Sequence, residues 1–152
     1  KTLKNKYLFN GTLKPNNAIC AIIKYKDNFL IQKRDNKKNI FFPDHYGLFG
    51  GAIEKNETKL QALIRELYEE IGIKFKKKNF KFLISLVLDF RVIGHKKYTR
   101  WVYTINLNKK NLQHLSLGEG AKMVWVSKNK IYKQKKLIPY DKFAFWLYLF
   151  NK

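Results

Sequence analysis

Three glutamates, Glu66, Glu69 and Glu70, are the residues of this sequence whose types and spacing are best suited to chemistry. On a helix, positions i, i+3 and i+4 are neighbours, so the three carboxylates would form one acidic stripe. Like charges repel there by roughly a few tenths of a kcal/mol per pair, and the C-terminal end of a helix disfavours anions further. A bound cation would offset both costs, and oxygen-only ligands favour Mg²⁺ or Mn²⁺.

The residues around these glutamates predict an amphipathic helix over Lys59–Ile71. Thr58 and Gln61 have the spacing of a capping box that starts a helix, and Gly72 is a typical stop signal. The apolar residues recur at helical spacing and mark one buried face, which consists of Leu60, Leu63, Ile64, Leu67 and Ile71. We expect this helix to hold the acidic stripe beside its buried face.

Residues 51–73 resemble the signature of the Nudix hydrolase family. The pattern is Gly51, five residues, Glu57, seven residues, Arg65-Glu66-Leu67, one residue, Glu69-Glu70, one residue and Gly72-Ile73, and it fills every fixed position of the Nudix box. The resemblance implies a magnesium-dependent hydrolase that cleaves a diphosphate linked to a nucleoside. It also implies an α/β fold of the Nudix type, an α/β/α sandwich with a mixed β-sheet.

The resemblance assigns metal ligands and catalytic groups to this stretch. It implies that Glu66, Glu69 and Glu70 bind Mg²⁺ or Mn²⁺, with the main-chain carbonyl of Gly50 as a further ligand. Glu66 and Glu69 also belong to the predicted catalytic group. Glu119, between two glycines, resembles an acidic residue that some family members carry on this loop as a ligand or general base. The sequence leaves open whether Glu66 or Glu119 is the base.

Other positions are predicted to support that group or to contact the substrate. In related enzymes the residue matching Glu57 braces the loop, and the residue matching Arg65 orients the carboxylates. Arg34, at the end of a predicted strand, and Arg100 are candidates for binding the phosphates. The aromatic residues Tyr46 and Phe49 precede the box, and an aromatic ring there can stack on a base, which contributes roughly 1–3 kcal/mol.

The rest of the chain predicts strands on both sides of the helix and a closing helix over Pro139–Phe150. The predicted strands are 18–24, 29–34, 80–90, 98–107 and 122–126, the first two joined as a hairpin. Residues 108–120 are predicted to be a polar loop and 128–134 a helical turn. Such an order favours a mixed sheet packed by helices. We expect one domain over 1–152, with 1–17 as either a flexible arm or an edge strand.

The composition restricts the class of protein. No apolar run approaches the roughly 20 residues that cross a bilayer, and no secretory signal is present, so we expect a cytoplasmic protein without a membrane partner. The single Cys20 cannot form an internal disulfide and lies in an apolar run, so it is expected to pack in the core.

The net charge of +21 is typical of proteins that bind nucleic acid, which makes RNA a candidate partner. The cations are nearly all lysine and are scattered, which is typical of a solvated surface, whereas bidentate phosphate recognition prefers arginine. A small nucleotide is therefore the expected partner and RNA is the less favoured one. The sequence leaves open whether the protein forms a homodimer.

The expected function is hydrolysis of a nucleoside triphosphate or a nucleotide sugar with Mg²⁺ or Mn²⁺. Two alternatives stay open: pyrophosphohydrolysis at the 5′ end of RNA, and a nucleotide- or RNA-binding Nudix module without turnover. The complete set of glutamates argues against the binding module, because a protein that only binds has no need of all three.

Overall fold

The computed structural model describes residues 13–118 and 122–150. Within these residues the strands are, in chain order, β1 (Ala18–Tyr25), β2 (Asn28–Lys33), β3 (Tyr46–Gly47), β4 (Phe49–Ala52), β5 (Lys81–Asp89), β6 (Lys97–Asn106) and β7 (Met123–Ser127). The α-helices are α1 (Lys59–Ile71), α2 (Lys109–Gln113) and α3 (Pro139–Phe150). Short 3₁₀ turns are formed by Lys77–Asn79, Arg91–Ile93 and Ile131–Lys133.

Strand β1 lies at the centre of a mixed sheet whose main path is β3-β2-β1-β6-β5. Its apolar run pairs in parallel with β6, where Cys20 lies opposite Val102. Its first half pairs antiparallel with β4, where Cys20 lies opposite Gly50, and its end pairs with β2. Strand β7 joins the sheet at β2. The central strand therefore fixes the position of the Gly50 segment directly.

Side chains alternate along β1 and divide the core into two layers. Ile19, Ala21 and Ile23 pack with the buried face of α1, and Cys20 and Ile22 pack with the buried face of α3. Helices thus cover both faces of one mixed sheet. The predicted α/β/α sandwich is confirmed.

The two long helices have the predicted bounds, and the five predicted strands are present with no end shifted by more than one residue. Strands β3 and β4 were not predicted, because both contain glycine, which is depleted in strands. The loop prediction for 108–120 is wrong at Lys109–Gln113, which forms α2 with Asn108 as its cap. The predicted helical turn over 128–134 is the 3₁₀ turn Ile131–Lys133.

Of the N-terminal segment 1–17, residues 1–12 lie outside the described part of the chain. Leu13 and Pro15 are buried, and the Asn17 Oδ1 accepts a hydrogen bond of 2.9 Å from the Thr99 amide. These contacts attach the segment to β6. In the described ranges, the helices are all too short or too polar to span a bilayer.

Cys20 is fully buried in the layer under α3, as expected from its apolar run. Its thiol donates a hydrogen bond of 3.6 Å to the Trp101 carbonyl. Burial raises the pKa of the thiol to about 12. The side chain therefore packs as a small apolar residue and stays protonated at neutral pH.

Candidate active site

The predicted capping signals hold helix α1 at both ends. The Thr58 hydroxyl accepts a hydrogen bond from the Gln61 amide, and the Gln61 side chain accepts one of 2.8 Å from the Thr58 amide. At the other end Gly72 has a φ of 74°, and its amide donates to the Tyr68 carbonyl. The helix is therefore fixed in length, and its glutamates have defined positions relative to the sheet.

Arg65 ties the start of the box to the glutamates of α1. Its guanidinium donates to both carboxylate oxygens of Glu57, at 2.6 and 3.2 Å, and to the Ala52 carbonyl at 3.1 Å. Its Nη1 also donates to Glu66 Oε1 at 2.8 Å and to Glu69 Oε2 at 3.3 Å. These contacts connect loop, strand and helix and orient the Glu66 carboxylate.

Glu66 and Glu70 lie beside the chain segment of Gly50 and Gly51. The Gly50 amide donates a hydrogen bond of 2.8 Å to Glu70 Oε2. A Cβ atom on Gly51 would lie 2.5 Å from the Glu66 carboxylate, so only glycine leaves this carboxylate in place. Gly50 has a φ of 137°, which side chains rarely adopt. The paired glycines bring the main chain of β4 directly against the two carboxylates.

The electrostatics of this pair favour a cation. The pKa of the Glu70 carboxyl is raised to about 8, first by burial and then by the charge of Glu66, although the Gly50 amide, Arg34 and Gln32 lower it. Burial also raises the pKa of Glu66, against the opposing effect of Arg65. Both carboxylates would therefore be stabilised in their charged form by a positive ion.

Glu69 differs from its two neighbours, because its side chain is 55% exposed and contacts Arg65. Within residues 13–118 and 122–150, no group of three or more His, Cys, Asp and Glu side chains is arranged to hold a metal ion. The pair of Glu66 and Glu70 nevertheless fits a divalent hard ion, because its donors are carboxylate oxygens. Arg65 is bonded to Oε1 of Glu66 and the Gly50 amide to Oε2 of Glu70, so each residue has a second oxygen that these two bonds do not use.

The predicted catalytic residue Glu119 lies outside the described residues, and its role stays a prediction. The chain just before it is fixed against the end of α1. The Gly118 amide donates to the Glu70 carbonyl at 2.8 Å, and the Ser116 amide donates to the Ile71 carbonyl at 3.1 Å. The loop therefore reaches the helix terminus beside the glutamates.

A cavity of about 200 Å³ opens at Gly50 and Gly51. Both predicted phosphate-binding arginines, Arg34 and Arg100, line it. The other lining residues are Lys14, Pro15, Asn16, Ala18, Phe41, Leu48, Ala52, Leu88, Phe90, Tyr98, Thr99 and Tyr140. We name it the glycine-strand cavity. It combines positive charge with aromatic surface next to the carboxylates.

The two arginines of the glycine-strand cavity have different surroundings. Arg100 donates to Asp141 Oδ1 through Nη2 at 2.8 Å and Nε at 3.2 Å, and its guanidinium lies 4.7 Å from the centre of the Tyr140 ring. The Nε atom of Arg34 is buried and has no hydrogen-bond partner in the described part of the chain. Arg34 is therefore the arginine with binding capacity to spare.

The structure does not bring Tyr46 or Phe49 to this cavity. Phe49 is 1% exposed and points from β4 into the layer under α1, because alternate residues of a strand face opposite sides. Tyr46 is partly buried, with the Lys33 Nζ 5.7 Å from its ring centre.

The rings that do line the cavity come from elsewhere in the chain. They include Phe41 and Phe90, with ring centres 5.6 Å apart, and Tyr98 and Tyr140. Asp141 and Tyr140 were not predicted to belong to the site. Asp141 is the one acidic residue of the closing helix, which was the available signal.

The chain is similar to the nucleoside triphosphatase NudI of Enterobacter sp. (strain 638), with 37% identity over 54 residues. The similar segment covers 36% of this chain and 38% of that protein, so it spans well under half of the curated relative.

Solved structures share the fold over most of the chain. The MutT protein from Methanosarcina mazei Go1 has a TM-score of 0.71 at 22% identity, covering 91% of this chain and 97% of that one. The NUDIX domain of Shewanella oneidensis NrtR, complexed with ADP ribose, has a TM-score of 0.68 at 16% identity and covers 93% and 92%. A bifunctional NMN adenylyltransferase/ADP ribose pyrophosphatase from Francisella tularensis, complexed with AMP and a Mn ion, has a TM-score of 0.63 at 22% identity and covers 91% and 42%.

The sequence pattern of the NUDIX domain matches residues 14–147. This range contains the carboxylates of α1, the two glycines and nearly the whole sheet with both helical layers. The match therefore agrees with the capped acidic helix and with the fold. The chain belongs to the NUDIX domain family.

Proposed function

We propose that this protein hydrolyses a nucleoside diphosphate linked to another group, as a pyrophosphohydrolase that uses Mg²⁺ or Mn²⁺. The observation that carries the proposal is the pair Glu66 and Glu70, held against Gly50 and Gly51 where the glycine-strand cavity opens. Membership of the NUDIX domain family supports the hydrolase class. The neighbour that binds AMP with a Mn ion supports the choice of cofactor and ligand.

In this proposal Glu66, Glu69 and Glu70, together with the Gly50 carbonyl, would hold the divalent ion. When bound, the ion supplies Lewis-acid chemistry, which draws charge from the phosphoryl oxygens. Arg65 keeps Glu66 in the orientation that the geometry shows, through the 2.8 Å hydrogen bond. Glu57 in turn holds Arg65, so a change at either residue should disturb the site indirectly.

The reaction adds water across a P–O–P bridge. A water oxygen forms a bond to one phosphorus atom, the bridging P–O bond breaks, and the phosphate on the other side leaves with the bridging oxygen. A carboxylate, either Glu66 or Glu119, accepts the proton of the attacking water. Arg34, whose side chain lines the cavity, binds the negative charge of the substrate phosphates.

The preferred substrate is a nucleoside triphosphate or a nucleotide sugar. The curated relative is a nucleoside triphosphatase, which supports the first. A cavity of about 200 Å³ is small beside typical ligand sites of roughly 300–1,000 Å³. It therefore suits one nucleoside better than both ends of a dinucleotide.

The test replaces Glu66 or Glu70 by glutamine, which keeps the size of the side chain. Both variants are expected to fold normally and to lose roughly 10²–10⁴-fold in turnover. Release of phosphate and pyrophosphate is measured over nucleoside triphosphates, nucleotide sugars and dinucleotide polyphosphates, with and without Mg²⁺. Glu54→Gln is the matched control, because this carboxylate is 68% exposed and comes no closer to Arg65 than 3.9 Å. Wild-type rates in both glutamine variants would refute the proposal.

The net charge of +21 favours one second candidate, pyrophosphohydrolysis at the 5′ end of RNA. The substrate panel therefore includes RNA with a 5′-triphosphate. Binding that falls steeply with log[salt] over several phosphates would support this substrate. A rate on RNA below that on the free nucleoside triphosphate would exclude it as the main one.

A further inference from the structure

A second cavity, of about 540 Å³, lies on the other side of α1 from the Glu66 and Glu70 carboxylates. Its lining residues are Tyr68, Gly72, Ile73, Lys74, Phe75, Lys76, Asn79, Asn106, Asn108, Lys110, Asn111 and His114. We name it the lysine–asparagine cavity. It shares no lining residue with the glycine-strand cavity. Tyr68 projects about 200° around the helix axis from Glu66, so the two cavities open on different faces.

The charged lining residues of this cavity are all basic. It contains three lysines and no aspartate or glutamate. Elsewhere, lysines near an acid form ion pairs, as Lys33 and Lys136 do with Asp44. In contrast, Lys74, Lys76 and Lys110 form no ion pair with any other described residue. The cavity therefore has uncompensated positive charge.

Its asparagines add hydrogen-bond donors. The Oδ1 atoms of Asn79, Asn108 and Asn111 accept bonds from the amides of Lys76, Asn111 and Asn108, at 2.8, 2.9 and 3.0 Å respectively. Their Nδ2 groups donate to no other residue in 13–118 and 122–150. Since each oxygen is used locally to cap a turn, the amide groups that stay free are donors only.

The main-chain carbonyls at the adjoining end of α1 do not offset this character. The Tyr68, Glu70 and Ile71 carbonyls accept hydrogen bonds from the Gly72, Gly118 and Ser116 amides. These three carbonyls are thus already occupied. The three lysines and the Nδ2 groups of Asn79, Asn108 and Asn111 supply cations and donors, which are complementary to an anion with several acceptor oxygens.

We propose that the lysine–asparagine cavity binds the phosphate group of a nucleotide, at a site separate from the proposed hydrolytic centre. The Tyr68 ring, 57% exposed at the cavity, is available to stack on the base. The volume lies within the range of small-ligand sites. This inference does not depend on the proposed function, because it concerns different residues and a binding event rather than turnover.

The test uses AMP, which has no phosphoric anhydride for the proposed hydrolysis to cleave. AMP, inorganic phosphate and adenosine are titrated separately into the ¹⁵N-labelled protein with EDTA and about 0.1 M salt, which screens weak surface attraction. The readout is the side-chain amide resonances of Asn79, Asn108 and Asn111. We expect AMP to shift them in a saturable way, phosphate to shift them more weakly and adenosine to leave them unchanged.

Matched variants separate a site from general attraction to a basic protein. The double variant Lys76→Glu and Lys110→Glu is expected to weaken AMP binding at least about tenfold, which is about 1.4 kcal/mol. The control double variant, Lys128→Glu with Lys130→Glu, changes the net charge equally, on exposed lysines outside this cavity. It is expected to change the affinity for AMP less than about threefold.

A second variant tests the donors with the turn retained. Asn111→Asp keeps the Oδ1 that caps the Asn108 amide but replaces the Nδ2 donor by an anionic oxygen, and it is expected to weaken AMP binding about tenfold. Absence of saturable shifts, equal shifts with adenosine, or equal weakening by the two double variants would overturn the proposal. Hydrolytic activity is measured in parallel. Variants that lose AMP binding in this cavity are expected to keep Glu66-dependent turnover, so the two proposals can fail separately.

Discussion

Two arginine-centred clusters of this protein have different charge balances. On α1, Arg65 lies within 4.0 Å of four carboxylates, those of Glu54, Glu57, Glu66 and Glu69. Between β6 and α3, Arg100 meets Asp141, which is fully buried. The second pair is neutral as a unit, while the first cluster has an excess of negative charge.

The buried pair is also complete in its hydrogen bonds. Asp141 Oδ1 accepts from Arg100, and Asp141 Oδ2 accepts from the Leu48 amide at 2.9 Å. Beside the Arg65 cluster, Glu70 lies near Glu66 and has no arginine bonded to it, and its pKa is raised to about 8. The Arg100 and Asp141 pair therefore has a structural role, whereas the carboxylates of α1 have negative charge that the proposed metal ion would offset. The following predictions test this contrast.

The largest expected effect comes from breaking the balanced pair. Asp141→Ala leaves Arg100 buried without its partner and the Leu48 amide without its acceptor, so we expect a loss of about 3–5 kcal/mol in the free energy of unfolding. The double variant Arg100→Met with Asp141→Leu removes both charges and should recover part of this loss, although the Leu48 amide still lacks its acceptor. Urea unfolding followed by circular dichroism measures both. A single variant as stable as the wild type would contradict the structural role.

A smaller effect is expected from displacing one carboxylate of the unbalanced cluster. Gly51→Ala places a methyl group against the Glu66 carboxylate, which must move, and a misplaced catalytic group costs roughly 100-fold in turnover. Stability should change little, because the displaced atoms are the end of a flexible side chain. Adding Glu66→Asp, which shortens the side chain, should restore part of the rate. Equal rates for Gly51→Ala and wild type would show that Glu66 need not stay where it lies.

The pH dependence of stability distinguishes the two clusters further. The folded-state pKa of Glu70, about 8, lies above its ordinary value of 4.5, so the folded state keeps this proton longer than the unfolded chain does. In EDTA, wild-type stability should therefore fall as pH rises from about 4.5 to about 8. Glu70→Gln lacks this loss and should therefore be more stable than wild type at pH 9, but not at pH 4.

Addition of Mg²⁺ should reduce that difference, because an ion bound to the carboxylates stabilises the folded wild type. Thermal unfolding at several pH values, with EDTA and with Mg²⁺, provides the measurement. A wild type that becomes more stable between pH 5 and pH 8 in EDTA would show that Glu70 does not dominate this range.

The smallest effect is expected at Asp44, a partly exposed counterpart of the buried pair. Its carboxylate contacts Lys33 and Lys136, and these hydrogen bonds lower its pKa from 3.8 to about 2. The stabilisation is therefore present above pH 3.8 and is lost as pH falls towards 2. Asp44→Asn should reduce stability slightly at neutral pH and not at all at pH 2. A constant difference across this range would mean that charge is not its cause.

Local signals explain why the sequence predicted α1 so well. The capping box of Thr58 and Gln61 and the stop at Gly72 act between residues three or four apart, so the pattern contains the whole cause of the helix ends. The acidic stripe follows from helical periodicity alone. For the same reason the closing helix, with Pro139 in its first turn, has the predicted bounds.

Features that depend on distant pairing could not be predicted in the same way. The short strand β4 forms because its glycines pair with β1, about 30 residues earlier, and not because of its own propensity. The partner of Arg100 is 41 residues away in sequence, so no local pattern connects it with Asp141. The position of Phe49 in the core likewise depends on the register between β4 and β1.

The register of β1 places the buried Cys20 directly opposite Gly50, under the proposed metal site. No reagent reaches this sulfur while the central strand is paired on both sides. Alkylation of the thiol would therefore count global openings of the sheet, and the labelling rate divided by that of the unfolded chain gives the open fraction. The alkylation rate of Cys20 is thus a built-in measure of unfolding. Any ligand that stabilises the folded state at the active site should lower this rate.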